Sequence, residues 1–432
     1  MKKNIDRFTL SNINTFKQQM LNWANQFSIC CLMDNNNYPS KYNSEECLLA
    51  IANSFSFSSD SQENSLIELK KFLDKKQDWI FGHFCYDFKN HIYPFSSNNI
   101  NNLPTIPDVG LFIPDVLLRI ENNSVIIESH TNNEVIFNKI SSIDLETTDN
   151  ILLETSLNIQ SRISKVEYLT KIEKLIHHIQ QGDCYEINFC QEFFIENAEV
   201  NPFNIFNKLN SISPNPFTAF YKFNSNYLLC ASPERFIKKE NNTLISQPIK
   251  GTIKRNLNSE KNDTDLKISL LNNQKERSEN IMIVDLVRND LSKIAEKKSV
   301  QVDELFGVYT FPHVHQLIST ISATLKPNIS FVDILKATFP MGSMTGAPKY
   351  KVMQLIEEYE ASKRGLYSGT LGFIKPNNDF DFNVVIRSII YNSDSKYLSY
   401  QVGSAITSNS IPEDEYEECL LKAKAIEQVL KK

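Results

Sequence analysis

The chain has 432 residues, 41% of them hydrophobic and 22% charged, the balance of a globular protein able to bury its own core without staples. A net charge of −6 offers no basic face for nucleic acid, and no apolar run approaches the roughly 18 residues of a membrane span. Eight scattered cysteines without zinc spacing, and a charged Met1–Leu10 without an apolar signal segment, read as a cytoplasmic protein with reduced thiols.

Along the chain, Asn98–Pro107 is polar and proline-containing, a surface loop. Ser124–Glu128 and Glu134–Phe137 look strand-like, and the pattern then fades to Leu157. This sets an expected boundary near residue 160, giving an N-terminal region 1–160 and a second region 161–432. Ser164 and Glu167 form a capping box. Behind it Val166, Leu169, Ile172, Leu175, Ile176 and Ile179 recur at helical spacing, and Gly182 supplies the stop. From Cys184 to Phe193 the pattern turns to alternation, a strand. Further strand-like runs are Thr218–Tyr221, Tyr227–Ala231, Gly369–Ile374, Phe382–Tyr391 and Tyr397–Val402, with helical patterns near 263–297, 331–337, 347–361 and 413–431. Many strands lack an intervening helix. The expected class is therefore α+β, with antiparallel sheets and helices outside. Glycines number only 11, and asparagine can replace them at some left-handed turns.

Four local features can carry chemistry. Glu276-Arg-Ser-Glu279 and Glu415-Tyr-Glu-Glu418 each place two carboxylates on one helix face. Two such helices facing each other would suit Mg²⁺; alone, either pair reads as a solvated face, with Lys422 placed to bind Glu418. Pro248-Ile-Lys-Gly-Thr252 sets Lys250 in a tight turn, where the amine would be nucleophilic if burial beside a cation lowered its pKa. Glu234, in Ser232-Pro-Glu-Arg-Phe236, stands at a strand end as a candidate acid. The loop Phe339–Lys349 is rich in Gly and Ser/Thr and enters a helix, with Pro348 suited to the first turn.

Taken together and in this order, these stretches resemble the chorismate-utilising enzymes from about Ser164 to Lys432. Gly182–Phe189, Glu276–Leu291, Arg364–Gly372, Ile386-Arg387 and Glu415–Ala425 carry the likeness as well. Leu32-Met-Asp-Asn35 and Gly82–Asp87 match more loosely. The resemblance implies two antiparallel sheets packed as a sandwich. It implies Glu279 and Glu418 as Mg²⁺ ligands with Glu276 and Glu415 close behind, and a metal that holds the ring carboxylate of chorismate. Tyr367 and Arg387 would bind a substrate carboxylate, with Thr252 and the backbone near Gly403 as further walls.

Lys250 points to the aminodeoxychorismate synthase branch, since anthranilate synthases carry Ala there. In that branch the lysine adds at ring C2 as the C4 hydroxyl leaves, Glu234 protonates that hydroxyl, and ammonia then displaces the lysine by attack at C4. The ammonia would come from a glutamine amidotransferase partner, for para-aminobenzoate and folate synthesis. An anthranilate synthase component I, or a non-catalytic regulatory subunit that binds chorismate or tryptophan, are the alternatives. Two departures stand out. Gln316 occupies a position where anthranilate synthases carry His, and Ala405 replaces a usual Gly, a cost to stability if that position needs positive φ. Asn35, with Pro216, Phe217 and Thr218, matches a tryptophan pocket of several relatives.

Overall fold

The structure, a computed structural model, describes residues 3–39, 41–42, 45–60, 64–103, 105–145 and 158–431. Among these, twelve strands form one sheet and ten a second, and every pair of named strands is antiparallel. The larger sheet runs from Asn4–Thr9 at one edge, through Cys47–Ala52, Ile29–Asp34, Phe217–Phe223, Asn226–Ser232, Ser388–Asn392 and Tyr397–Ile406, to Glu186–Ile195. The smaller runs from Ile249–Lys254 and Val314–Thr324 through Arg235–Glu240, Phe380–Asn383 and Thr370–Ile374 to Ile80–Phe84. Strands from both sides of residue 160 take part in each sheet. No helix among the described residues is long and apolar enough to cross a membrane.

The two-residue period of a strand divides its side chains between two cores. Cys31, Leu48, Ala50 and Tyr221 of the larger sheet meet Phe81, Ile237, Phe373 and Phe382 of the smaller one between the sheets. Their neighbours Cys30, Leu32, Leu49 and Phe220 point the other way. They are covered by Phe16, Trp23, Tyr168, Ile172, Phe206 and Cys419 on outer helices. Both faces of the central strands are thus buried, which is why Cys47–Ala52 is an unbroken apolar run.

The sandwich with helices outside matches the expected class, with four local corrections. Glu134–Phe137 belongs to a helix, Asn133–Ser141; the Asn132 side chain accepts hydrogen bonds from the backbone of Glu134 and Val135, and this cap overrides the short apolar run. The pattern near 263–297 is two helices, Glu260–Asn272 and Gln274–Ser292, because the Asn273 side chain caps the second. The run Phe382–Tyr391 is two strands in different sheets, Phe380–Asn383 and Ser388–Asn392. Pro348 precedes the helix Lys349–Tyr359 instead of lying in its first turn. The patternless stretch before residue 158 lies outside the described residues from 146 on.

The capped helix is found at Lys165–Gln180, with the reciprocal Ser164–Glu167 bonds in place, and Gly182 follows at φ 84°. Nine asparagines, among them Asn36, Asn122 and Asn241, also adopt positive φ and take the turns that the few glycines leave.

Twice the chain passes from one sheet to the other within a few residues. Ser232 ends a strand of the larger sheet and Arg235 begins one of the smaller, with Pro233 and Glu234 between. Asn383 ends a strand of the smaller sheet and Ser388 begins one of the larger, with residues 384–387 between. The two crossings are stitched together: the Val384 amide donates to the Glu234 carbonyl (3.0 Å) and the Ala231 amide to the Arg387 carbonyl (3.2 Å).

Candidate active site

Glu234 and Arg387 therefore sit side by side at the seam of the sandwich. Arg387 adopts φ 51°, and Ser368, beside Tyr367, φ 60°. Such left-handed residues cost energy and concentrate where surrounding structure fixes a functional geometry. Among the described residues the Arg387 guanidinium has no hydrogen-bond or ion-pair partner, so a planar fork of donors is free for an anion. Glu234 is 3% exposed. Burial pushes its carboxyl up to about 7, against the hydrogen bonds from Ser343 and the Ile249 amide and the charges of Lys250 and Arg387. A carboxyl that is half protonated near neutrality can donate a proton to a leaving group.

Lys250 lies on the edge strand Ile249–Lys254, facing the opposite sheet. Its ammonium donates to Glu186 Oε1 at 2.6 Å, across the sandwich. Burial pulls the lysine down, but Glu186, Glu279 and Glu234 outweigh it and hold the ammonium above its ordinary value. The condition set by the sequence reading, an amine lowered by burial beside a cation, is thus not met by the protein's own groups. The reason is Glu186, a partner 64 positions away that spacing along the chain could not identify. Glu186 lies inside the stretch Gly182–Phe189 already singled out, and a glutamate in a strand buried on both faces was the available signal.

The helix Gln274–Ser292 brings Glu276 and Glu279 to the same cleft. Asn273 caps it through the Glu276 amide (3.2 Å), so Glu276 also lies in the favourable field of the helix N-terminus. Burial pushes Glu279 up to about 7, with Glu186 and Glu276 adding to it while Lys250 opposes; Glu279 Oε1 is buried without a hydrogen-bond partner. Glu276 is also raised, by burial first and by Glu418. Burial raises Glu418 as well, but Lys422, Lys275 and Lys250 outweigh it and leave it lowered. Lys422 does bind Glu418, at 2.7 Å, and it also donates to the Gly403 carbonyl at 2.8 Å. Glu415 is engaged elsewhere: its carboxylate accepts from Ser410 (2.7 Å) and its backbone carbonyl from Tyr168 (3.4 Å).

Among the described residues no three acidic, His or Cys side chains are grouped tightly enough to hold an ion unaided. Carboxylates that act on one another through their charges, two of them half-buried and one with an orphaned oxygen, still fit a hard cation that takes its remaining ligands from water and substrate. Glu276 acts through its charge on both Glu279 and Glu418, whereas the Glu415 carboxylate is tied to Ser410.

The remaining expected residues line the surroundings. Thr252 pairs with Gln316, whose amide donates to the Thr252 hydroxyl at 3.1 Å. Tyr367 is buried, its hydroxyl 3.9 Å from Cys190 Sγ. Gly403 faces Cys190 in the next strand, and a Cβ there would lie 2.5 Å from that sulfur, so the position requires glycine. Ala405 pairs in register with Asn188 and is not among the positive-φ residues, so its methyl group carries no backbone strain. Asn35, Pro216, Phe217 and Thr218 lie where Ile29–Asp34 pairs with Phe217–Phe223, and Phe217 pairs in register with Ser232.

Comparison with known proteins gives a consistent picture. The family described as chorismate binding enzyme matches residues 29–428. A probable chloroplastic aminodeoxychorismate synthase of Oryza sativa is 40% identical over 270 residues, 62% of this chain but only 30% of that protein. The chain thus spans less than a third of the rice relative. Aminodeoxychorismate synthase component 1 of Bacillus subtilis is 30% identical over 367 residues, covering 82% of this chain and 77% of that one. The crystal structure of anthranilate synthase component I from Streptococcus pneumoniae shares the fold, with a TM-score of 0.78 at 24% identity over 90% of this chain and 95% of that one. Joined to a cleft in which a lysine, an arginine fork and buried carboxylates converge, a match that runs through nearly the whole sequence establishes that this chain belongs to the chorismate-binding enzyme family.

Proposed function

We propose that the chain aminates chorismate to 4-amino-4-deoxychorismate, as the synthase subunit of an aminodeoxychorismate synthase. The observation that carries this reading is Lys250, half-buried and within electrostatic reach of Glu234, whose carboxyl is pushed up to about 7. The relatives named as aminodeoxychorismate synthases support it. In this reading Arg387 takes a substrate carboxylate in its free fork. Bound Mg²⁺, held by Glu279 and Glu418 with Glu276 beside them, would supply positive charge against the ring carboxylate. Lys250 adds to the ring as a neutral amine, and Glu234 gives its proton to the departing C4 hydroxyl, which is otherwise a poor leaving group. Ammonia attacks C4 and releases the lysine. Supply of that ammonia by a glutamine amidotransferase partner belongs to the same proposal; the Bacillus relative carries the name component 1.

The test is a product assay with chorismate, Mg²⁺ and an ammonium salt. The expected product is aminodeoxychorismate, converted to para-aminobenzoate only when a separate lyase is added. Anthranilate as the product would establish the anthranilate synthase reading instead, and no turnover would leave a chorismate-binding regulatory subunit.

A further inference from the structure

We infer that Glu186 is the catalytic base that takes the proton from Lys250 and returns it when the lysine leaves. This rests on the reading of Lys250 as nucleophile and goes beyond it by naming the group that makes the amine neutral.

Three observations carry it. Glu186 Oε1 lies 2.6 Å from the Lys250 nitrogen, the reach of a direct proton transfer. Among the described residues it is the one hydrogen-bond acceptor on that ammonium; Glu279 and Glu234 act on it only through their charges. Second, Glu186 is 1% exposed, and its other oxygen is buried without a partner. Buried polar atoms are normally paired, so an orphaned carboxyl oxygen beside the ammonium marks a side chain not committed to a fixed structural bond on that side. Third, the carboxylate cannot swing aside with its backbone. Glu186 and Ile187 pair with Ala347 and Gly346, and a Cβ on Gly346 (φ 142°) would stand 2.0 Å from the Glu186 carbonyl oxygen.

The protons close over one cycle. The Lys250 ammonium passes a proton to the Glu186 carboxylate, leaving an amine and a carboxylic acid. The amine's electron pair forms the bond to C2 as the C4–O bond breaks, and the hydroxyl leaves as water with the proton of Glu234. Ammonia then forms the bond to C4 while the C2–N bond breaks and its electrons return to Lys250. The lysine recovers its proton from Glu186, and the new ammonium group at C4 gives one to Glu234. No outside acid, base or oxidant is needed.

The experiment is rapid quench of the full-length protein with chorismate and Mg²⁺ and without ammonia, followed by mass analysis of the Lys250 peptide. Wild type is expected to show the adduct. Glu186→Gln keeps the size of the side chain but not its basicity; it should still bind chorismate in calorimetry, while the adduct forms roughly 10²–10⁴-fold more slowly. Adduct formation at the wild-type rate in Glu186→Gln would overturn the inference while leaving Lys250 as nucleophile. Should Glu186→Gln not fold, Glu186→Asp decides: a measurable adduct on the shorter carboxylate supports the base, and a folded variant that binds chorismate and forms none refutes it. A wild-type protein with no adduct at Lys250 would remove the nucleophile itself, and this inference with it.

Discussion

Two regions of the molecule carry ligand-site signatures in the sequence, and their polar groups are in opposite states. In the cleft, Glu279 Oε1, Glu186 Oε2 and Gln316 Oε1 are buried without partners, and among the described residues the Arg387 fork is free. Around Thr218 and Asn36, beside Asn35, the same kind of groups are paired. The Asn36 side chain donates to Asn210 Oδ1 (3.0 Å), the Asn215 carbonyl (2.8 Å) and Thr218 Oγ1 (3.0 Å), and Asn210 donates back to it (3.2 Å). Asp34 is held by Lys17 at 2.8 Å and by the Asn36 amide at 2.9 Å. Buried polar groups are normally paired, so a cluster of unpaired ones marks where the protein leaves partners to a ligand. A motif match tells where a relative's ligand lies; hydrogen-bond satisfaction tells whether this chain has kept the place open.

The cleft side of the contrast makes the largest predictions. Lys250→Ala should lower turnover by roughly 10²–10⁴-fold, the range of a lost catalytic group, while chorismate and Mg²⁺ still bind in calorimetry. Wild-type turnover in that variant would break the link to amination. Next, Glu279→Gln should abolish Mg²⁺ binding measured by calorimetry, whereas Glu415→Gln, whose carboxylate is tied to Ser410, should change it little. Equal losses in the two variants would show that the ion draws on all four glutamates.

The third prediction concerns pH. A carboxyl whose pKa is raised by folding stabilises the protein fully at low pH and loses that contribution as pH rises through the folded value. Glu234 should therefore contribute on the order of 3 kcal/mol that fades between its unfolded pKa near 4.5 and about 7. Urea midpoints measured across that range should fall with pH in the wild type and fall less in Glu234→Gln; parallel curves would mean that the carboxyl is not perturbed.

The smallest effects belong to the saturated region. Asn36 sits at φ 51°, so Asn36→Gly keeps the backbone allowed and removes only the side-chain bonds. We expect a loss of about 1 kcal/mol in stability and unchanged turnover. Added tryptophan should leave the wild-type rate unchanged, because binding there would have to displace bonds the protein already makes. Strong inhibition by tryptophan would dissolve the contrast between the two regions.

Local features were the legible ones. The capping box at Ser164, the helix behind it and the order of the glutamate, lysine and arginine motifs all depend on near neighbours, and they stand where the sequence puts them. What escaped needed distant partners or competing local chemistry. Glu134–Phe137 has strand-like residues, but the Asn132 cap decides for helix. Phe382–Tyr391 has the apolar content of one strand, and only the second sheet explains why it breaks at residue 384. The state of Lys250 depends on a carboxylate contributed by the opposite sheet, which no spacing encodes.

The passage from Ser232 to Arg235 sets a fixed gauge on the cleft. Three steps of extended chain reach about 10 Å, the usual distance between packed sheets, so the crossing beside Glu234 has little slack. The sheets cannot part there to admit a larger ring. Selection for a bulkier substrate would therefore have to act on the side chains that face the seam, because the spacing of the sheets beside Glu234 is set by the chain itself.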